Sequence, residues 1–144
     1  MRRISIDNMG DPVMAHVHGE VVTLGEDQTA AQAAYRFRGM NVRDKIAYLY
    51  VLDKDDRLVG VVPVRRLLGS DPDAPLRSLI VSPVVSAPSS ASVLEVCELL
   101  LNHRFMALPV VDGEDRLRGV IDLSQFADEV LTSAQQQMDS AFQL

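Results

Sequence analysis

The chain carries one structural unit twice, and that duplication limits its fold more than any other feature. Asp53-Lys54-Asp55-Asp56-Arg57-Leu58-Val59-Gly60 lies over Asp112-Gly113-Glu114-Asp115-Arg116-Leu117-Arg118-Gly119, with five of eight positions identical at an offset of 59. The flanks agree in kind. Tyr48-Leu49-Tyr50-Val51-Leu52 sits over Ala107-Leu108-Pro109-Val110-Val111, and Val61-Val62 over Val120-Ile121. Upstream, Val21-Val22-Thr23 matches Val84-Val85-Ser86 at an offset of 63, which puts the extra residues of the first copy around Gly39 to Lys45.

Local signals give each copy the order β-α-β-β-α. Val21 to Leu24 is a short apolar run closed by Gly25-Glu26-Asp27 and predicts a strand. Ala30, Ala33, Ala34 and Phe37 fall at helical spacing and predict a helix over Thr29 to Arg38. Ala47 to Leu52 and Leu58 to Val62 are β-rich runs around an acidic turn, hence a hairpin. A helix follows at Val64 to Leu68. The second copy predicts a strand at Pro83 to Ala87 and a helix at Ser92 to His103. Strands at Met106 to Val111 and Leu117 to Ile121 come next, then a helix from Leu123. Gly69-Ser70-Asp71-Pro72-Asp73-Ala74-Pro75 reads as the linker between copies.

A three-stranded unit of roughly 50 residues cannot bury its own apolar face well. The expected solution packs copy against copy about a pseudo-twofold axis and leaves clefts where a ligand could sit. Composition agrees with an ordinary globular chain: 144 residues, 47% apolar and 24% charged. With no Trp, four Phe and three Tyr, the core must be aliphatic. No apolar run reaches the roughly 20 residues of a membrane helix. The start, MRRISIDNMGDP, lacks the apolar stretch of a secretory signal. A single cysteine, Cys97, cannot pair internally and fits a reducing compartment. A net charge of −6 disfavours nucleic acid and anionic membranes as partners. The expectation is a cytoplasmic protein.

This pattern resembles the cystathionine-β-synthase (CBS) domain, which usually occurs as a tandem pair. The second copy carries the likeness in Val81-Ser82-Pro83-Val84-Val85-Ser86, Leu108-Pro109-Val110-Val111-Asp112 and Arg116-Leu117-Arg118-Gly119-Val120-Ile121. The first carries it in Val13-Met14-Ala15, Val21-Val22-Thr23, Tyr50-Val51-Leu52-Asp53 and Arg57-Leu58-Val59-Gly60-Val61-Val62. The aromatic strand 47–52, the segment Gly10-Asp11-Pro12-Val13-Met14 and the linker from Leu68 look like the cytosolic CBS pair of MgtE-type magnesium transporters. The resemblance implies an α/β fold of two β-α-β-β-α repeats: an extension 1–11, repeats 12–69 and 77–132, a linker 70–76 and a helical tail 133–144. It also implies a regulatory, non-catalytic module that binds AMP, ATP, S-adenosylmethionine or Mg2+ and forms a homodimer. A larger protein under its control is the further partner implied.

In nucleotide-binding members a Ser or Thr follows the Gly-x-x of the last strand, and an Asp three residues later grips the ribose. This chain departs from that pattern. The first copy places Pro63 and Arg66 at those positions, the second Asp122 and Gln125. Pro63 suits the first position of a helix, and Asp122 with Gln125 forms a capping-box pair. Arg65 and Arg66 suit either a forked bond to an anion or pairing with surface acids. The expected ligand edge is Val22, Thr23, Tyr48, Tyr50, Pro63 and Arg66. Its second-copy equivalents are Val85, Ser86, Ala107, Pro109, Asp122 and Gln125. The alternative is a ligand-free dimerisation module whose clefts are filled by its own side chains.

The remaining chemistry is sparse, and any metal ligands are left unknown. Asp53, Asp55 and Asp56, and likewise Asp112, Glu114 and Asp115, lie in turns, which favour aspartate for local hydrogen-bonding reasons. Glu26, Asp27, Asp71 and Asp73 have the same standing as Mg2+ candidates. His16 and His18 could share one face as a metal pair, though zinc needs three or four ligands. Cys97 sits in an apolar helix and reads as core. No nucleophile–base grouping, phosphate-cradling glycine loop or CxxC motif occurs. In the tail, Val130, Leu131, Ala134, Met138 and Phe142 make an apolar stripe suited to a partner subunit.

Overall fold

The structure, a computed structural model, describes residues 3–19, 21–39 and 48–141. It divides into two compact units. One gathers Met1–Gly19, Ser86–Gly113 and Arg118–Leu144; the other gathers Glu20–Val85 and Glu114–Leu117. Each holds one three-stranded sheet with its own helices, the α/β architecture expected.

In the unit of the first repeat the order is β1 (Thr23–Gly25), α1 (Ala30–Gly39), β2 (Tyr48–Leu52), β3 (Leu58–Pro63) and α2 (Val64–Leu68). β2 is central, parallel to β1 and antiparallel to β3. Leu49, Val51 and Val62 point to the helix side and join Val22, Leu24, Ala30, Ala33, Leu67, Leu76 and Leu79 in one buried cluster. Burying each such Val or Leu side chain is worth about 1.5–3 kcal/mol. α1 begins where it does because Thr29 and Gln32 cap it reciprocally, Gln32 N to Thr29 Oγ1 at 3.2 Å and Thr29 N to Gln32 Oε1 at 3.0 Å. The carbonyls of Ala74 and Pro72 take the N–H groups of Ala30 and Ala31 at 2.8 and 3.0 Å, so the linker seals the helix start.

The hairpin turn follows from its aspartates. Asp53 Oδ1 accepts from the N–H groups of Asp55 and Arg57 at 2.8 and 2.9 Å, and Asp56 takes a left-handed φ of 63°. Asp115, its equivalent in the second repeat, has the same φ. The bonds to Asp53, chiefly from Arg57 N–H, hold its carboxyl below the usual aspartate range.

The second repeat runs β4 (Ala87–Pro88), α3 (Val93–His103), β5 (Ala107–Val111), β6 (Leu117–Asp122) and α4 (Asp128–Ala141). Here two expectations are corrected. The strand expected at Pro83 to Ala87 is only Ala87–Pro88. In the first repeat Tyr50 N donates to Val22 O at 3.0 Å; its equivalent is Pro109, which has no N–H. Pairing therefore starts one residue later, at Ala87 opposite Val110. The helix expected from Leu123 is instead a 3-10 turn, Leu123–Gln125, followed by a break and then α4. At the break the chain is extended at Phe126 and pairs with the N-terminal segment: Ile4 N donates to Gln125 O at 2.6 Å and Ala127 N to Ile4 O at 2.9 Å. Phe126, 1% exposed, is anchored there.

Smaller boundary shifts also occur. The first strand starts at Thr23 rather than Val21, and Ser92 is the N-cap of α3 rather than its first residue. Ala47 and the insertion from Met40 onward lie outside the described residues, as do Phe142 and the side chains from Met138 on. Val130 of the tail stripe is buried, and Leu131 and Ala134 are half-buried. No helix among the described residues is long and apolar enough to cross a membrane.

Candidate functional site

The duplicated glycines mark where each sheet is joined by a distant segment. A Cβ on Gly60 would stand 2.3 Å from Ile80 Cγ2, and Val81 N donates to Val61 O at 2.8 Å. A Cβ on Gly119 would stand 2.9 Å from Val17 Cβ, and His18 and Val120 exchange backbone bonds of 3.0 Å each way. Val17-His18 and Ile80-Val81 are themselves 63 positions apart, so the same device occurs in both units.

In the first unit, register gathers the expected edge. Thr23 lies opposite Tyr50, Tyr50 opposite Val61, and Tyr48 opposite Pro63. Tyr48 and Tyr50 share the sheet face turned away from the helices, because alternate strand residues do so. Tyr50 is 3% exposed and Tyr48 half-buried. Val22 is placed differently: its side chain belongs to the helix-side core and only its carbonyl, bonded to Tyr50 N, reaches the strand edge. Pro63 is the N-cap of α2, one position before the helical start expected of it, with φ −60°. Arg66 is exposed. Among the described residues its guanidinium makes one hydrogen bond, Nη1 to the Leu79 carbonyl at 3.3 Å, rather than pairing with a surface acid.

In the other unit the equivalent positions are taken. Asp122 Oδ2 lies 2.8 Å from His18 Nε2, and its Oδ1 accepts from Ser124 Oγ. Gln125, 6% exposed, accepts from Asp122 N through Oε1 at 2.9 Å and donates through Nε2 to His16 O at 2.7 Å. The capping pair is thus present and also holds the N-terminal segment. Ala107 is half-buried and Pro109 buried on β5, whereas Ser86 is half-buried just before β4. Val85 is half-buried in a stretch without regular secondary structure that groups with the first unit.

The histidines answer to separate carboxylates, not to one metal. His16 Nε2 is 2.7 Å from Asp11 Oδ2, which also accepts from Asn8 Nδ2 at 3.1 Å. A carboxylate only accepts, so Nε2 of each ring carries a proton. These bonds, that of His16 foremost, hold the Asp11 carboxyl below its ordinary value. Sequence reasoning saw the His-x-His spacing but not these partners. The offset of 63 that sets Val17-His18 on Ile80-Val81 marks the segment as a repeated element, but no signal in the sequence points to Asp11 or Asp122 as the partners. Among the described residues no three His, Cys, Asp or Glu side chains converge as metal ligands. Glu114 and Asp55 lie beside arginines, Arg116 at 3.0 Å and Arg57 at 4.0 Å. Cys97 is buried in α3, and burial pushes its thiol up to about 11.

Comparison with known proteins agrees with this duplication. The CBS domain family model matches residues 12–73 and 76–132. The chain is similar to the magnesium transporter MgtE of Enterococcus faecalis, 28% identical over 112 residues, covering 77% of this chain and 25% of that protein. It therefore spans about a quarter of that relative. Among solved structures, it is similar to the cytosolic domain of the Mg2+ channel MgtE in complex with ATP. The TM-score is 0.70 at 30% identity, covering 76% of this chain and 44% of that one. The soluble part of a magnesium transporter gives a TM-score of 0.75 at 25% identity, covering 85% and 52%. With both repeats matched in order, the chain belongs to the CBS domain family as a tandem pair.

Proposed function

We propose that this chain is a non-catalytic sensor of a small ligand, an adenine nucleotide or Mg2+, that transmits occupancy by a change of packing. A CBS pair is a regulatory module, and the MgtE cytosolic domain it resembles at 30% identity holds ATP. The observation that carries the reading is the contrast between the repeats. Asp122 and Gln125 are engaged by the chain itself, whereas among the described residues the exposed Arg66 makes one long bond, to a carbonyl. The ligand edge is therefore assigned to Thr23, Tyr48, Tyr50, Pro63 and Arg66. The tyrosine-bearing sheet face receives the base, and Arg66 faces phosphate through charge-assisted bonds. Homodimerisation, a cytoplasmic location and a larger protein as receiver of the signal belong to the same proposal.

Thermal unfolding with ATP, AMP, S-adenosylmethionine and Mg2+, each tested alone, checks this. A ligand at 100 times its dissociation constant stabilises by about 2.7 kcal/mol, and the wild type should respond to at least one nucleotide. The second reading, a ligand-free assembly module, is favoured by the self-filled network at Asp122 and Gln125. An absence of shift with all four compounds selects it.

A further inference from the structure

The unit of the first repeat is polarised along its strands. β1 and β2 are parallel and β3 runs back, so Tyr48 and Pro63 lie at one end of the sheet and Leu52 and Leu58 at the other. The acids collect at the Leu52 end. Glu26 and Asp27 follow β1, and Asp53, Asp55 and Asp56 follow β2. Glu114 and Asp115 join them, since Leu58 N donates to Asp115 O at 2.9 Å. Asp71 and Asp73 stand in the linker that seals the start of α1, the element next after β1. Tyr48 and Asp53 are five positions apart, about 16 Å along a strand.

The arginines collect at the Tyr48 end. Arg65 and Arg66 lie on α2, which starts directly after Pro63. A parallel strand pair needs a crossover that returns the chain to the start of the second strand. α1 therefore runs back toward Tyr48 and carries Arg36 and Arg38 in its last turn. α1 packs on α2, and all four arginines are exposed. Among the described residues of this unit no carboxylate shares that end. In nucleotide-binding folds a carboxylate reads ribose hydroxyls and an arginine reads a phosphate. Pro63 has no side-chain acceptor, and a neutral hydroxyl such as that of Thr23 makes bonds about half as strong as those of a charged group.

We propose that this edge selects its nucleotide by phosphate number and is indifferent to the ribose hydroxyls. A nucleoside triphosphate, ribo or 2′-deoxy, is preferred to a monophosphate, and the cationic S-adenosylmethionine is excluded. This rests on the nucleotide reading above and adds Arg36, Arg38 and Arg65 to the residues that act on the ligand. Arg66 meets the first phosphate beyond the tyrosine face, and the other three arginines supply the positive field that each further phosphate enters.

Calorimetric titration at low ionic strength and without divalent metal tests it, with ATP, 2′-deoxyATP, AMP and inorganic tripolyphosphate as probes. The proteins are the wild type and Arg36→Gln/Arg38→Gln. In the wild type ATP should bind at least about tenfold tighter than AMP. 2′-DeoxyATP should bind within about threefold of ATP, and tripolyphosphate should compete with ATP. In the variant the preference for ATP over AMP should shrink at least about threefold. Its AMP affinity should be unchanged, which also shows that it is folded. AMP binding as tightly as ATP, a loss of about tenfold on removing the 2′-hydroxyl, or failure of tripolyphosphate to compete overturns the selection and leaves nucleotide sensing in place. An unchanged preference in the variant overturns the share assigned to α1. Failure of every nucleotide to bind overturns the sensing reading itself.

Discussion

His18 Nε2 meets Asp122 Oδ2 at 2.8 Å across 104 residues of chain. The bond fastens the start of the first repeat to the last strand of the second, beside the paired backbones of His18 and Val120. Both side chains are partly exposed, 17% and 29%, so the charge-assisted bond is worth about 1 kcal/mol after screening. His18→Ala should speed amide exchange at Val120 several-fold while leaving the first-repeat sheet protected. Unchanged protection at Val120 contradicts the latch.

Gly60 and Gly119 do the same work in the two units, and neither position has room for a methyl group. Alanine at either should cost about 1–3 kcal/mol in denaturant unfolding. Gly119→Ala should cost more, because its φ is 154° and its Cβ would also stand 3.0 Å from the His18 carbonyl. Equal, negligible losses would mean that the flanking segments are not seated as described.

Pro109 withholds the donor that Tyr50 supplies in the first repeat. Pro109→Val restores an N–H at that position. The new amide should be protected from exchange by bonding to the Val85 carbonyl, lengthening β4 by pairing Ser86. Rapid exchange there would show that proline is not what shortens the strand.

The Asp11 carboxyl is held below its ordinary 3.8 by His16 and Asn8. A depressed folded value stabilises the protein above 3.8, and that contribution is lost as pH falls through the lowered value. Asp11→Asn should therefore cost stability near neutral pH and cost progressively less as acid unfolding begins. A penalty that does not change with pH contradicts this.

How much of this was legible in the sequence depended on whether the cause was local. The turn at Asp53, the box at Asp122 and Gln125, and the hairpin strands rest on residues within about four positions of one another, and pattern reveals them. The short β4 was hidden because its cause, Pro109, lies on the partner strand. Asp122 and Gln125 stood at the right sites, but what fills their hydrogen bonds is the segment of His16 and His18, more than a hundred residues away. Val22 and Thr23 are chain neighbours that face opposite ways, so the expected edge holds the Thr23 side chain but not that of Val22.

Calorimetric titration of ATP into the wild type and Arg66→Ala tests the central claim most directly. The account predicts saturable binding to the wild type and binding at least about tenfold weaker in the variant, the loss of one charge-assisted contact. No binding of ATP to the wild type, or equal affinity in the two proteins, would contradict it.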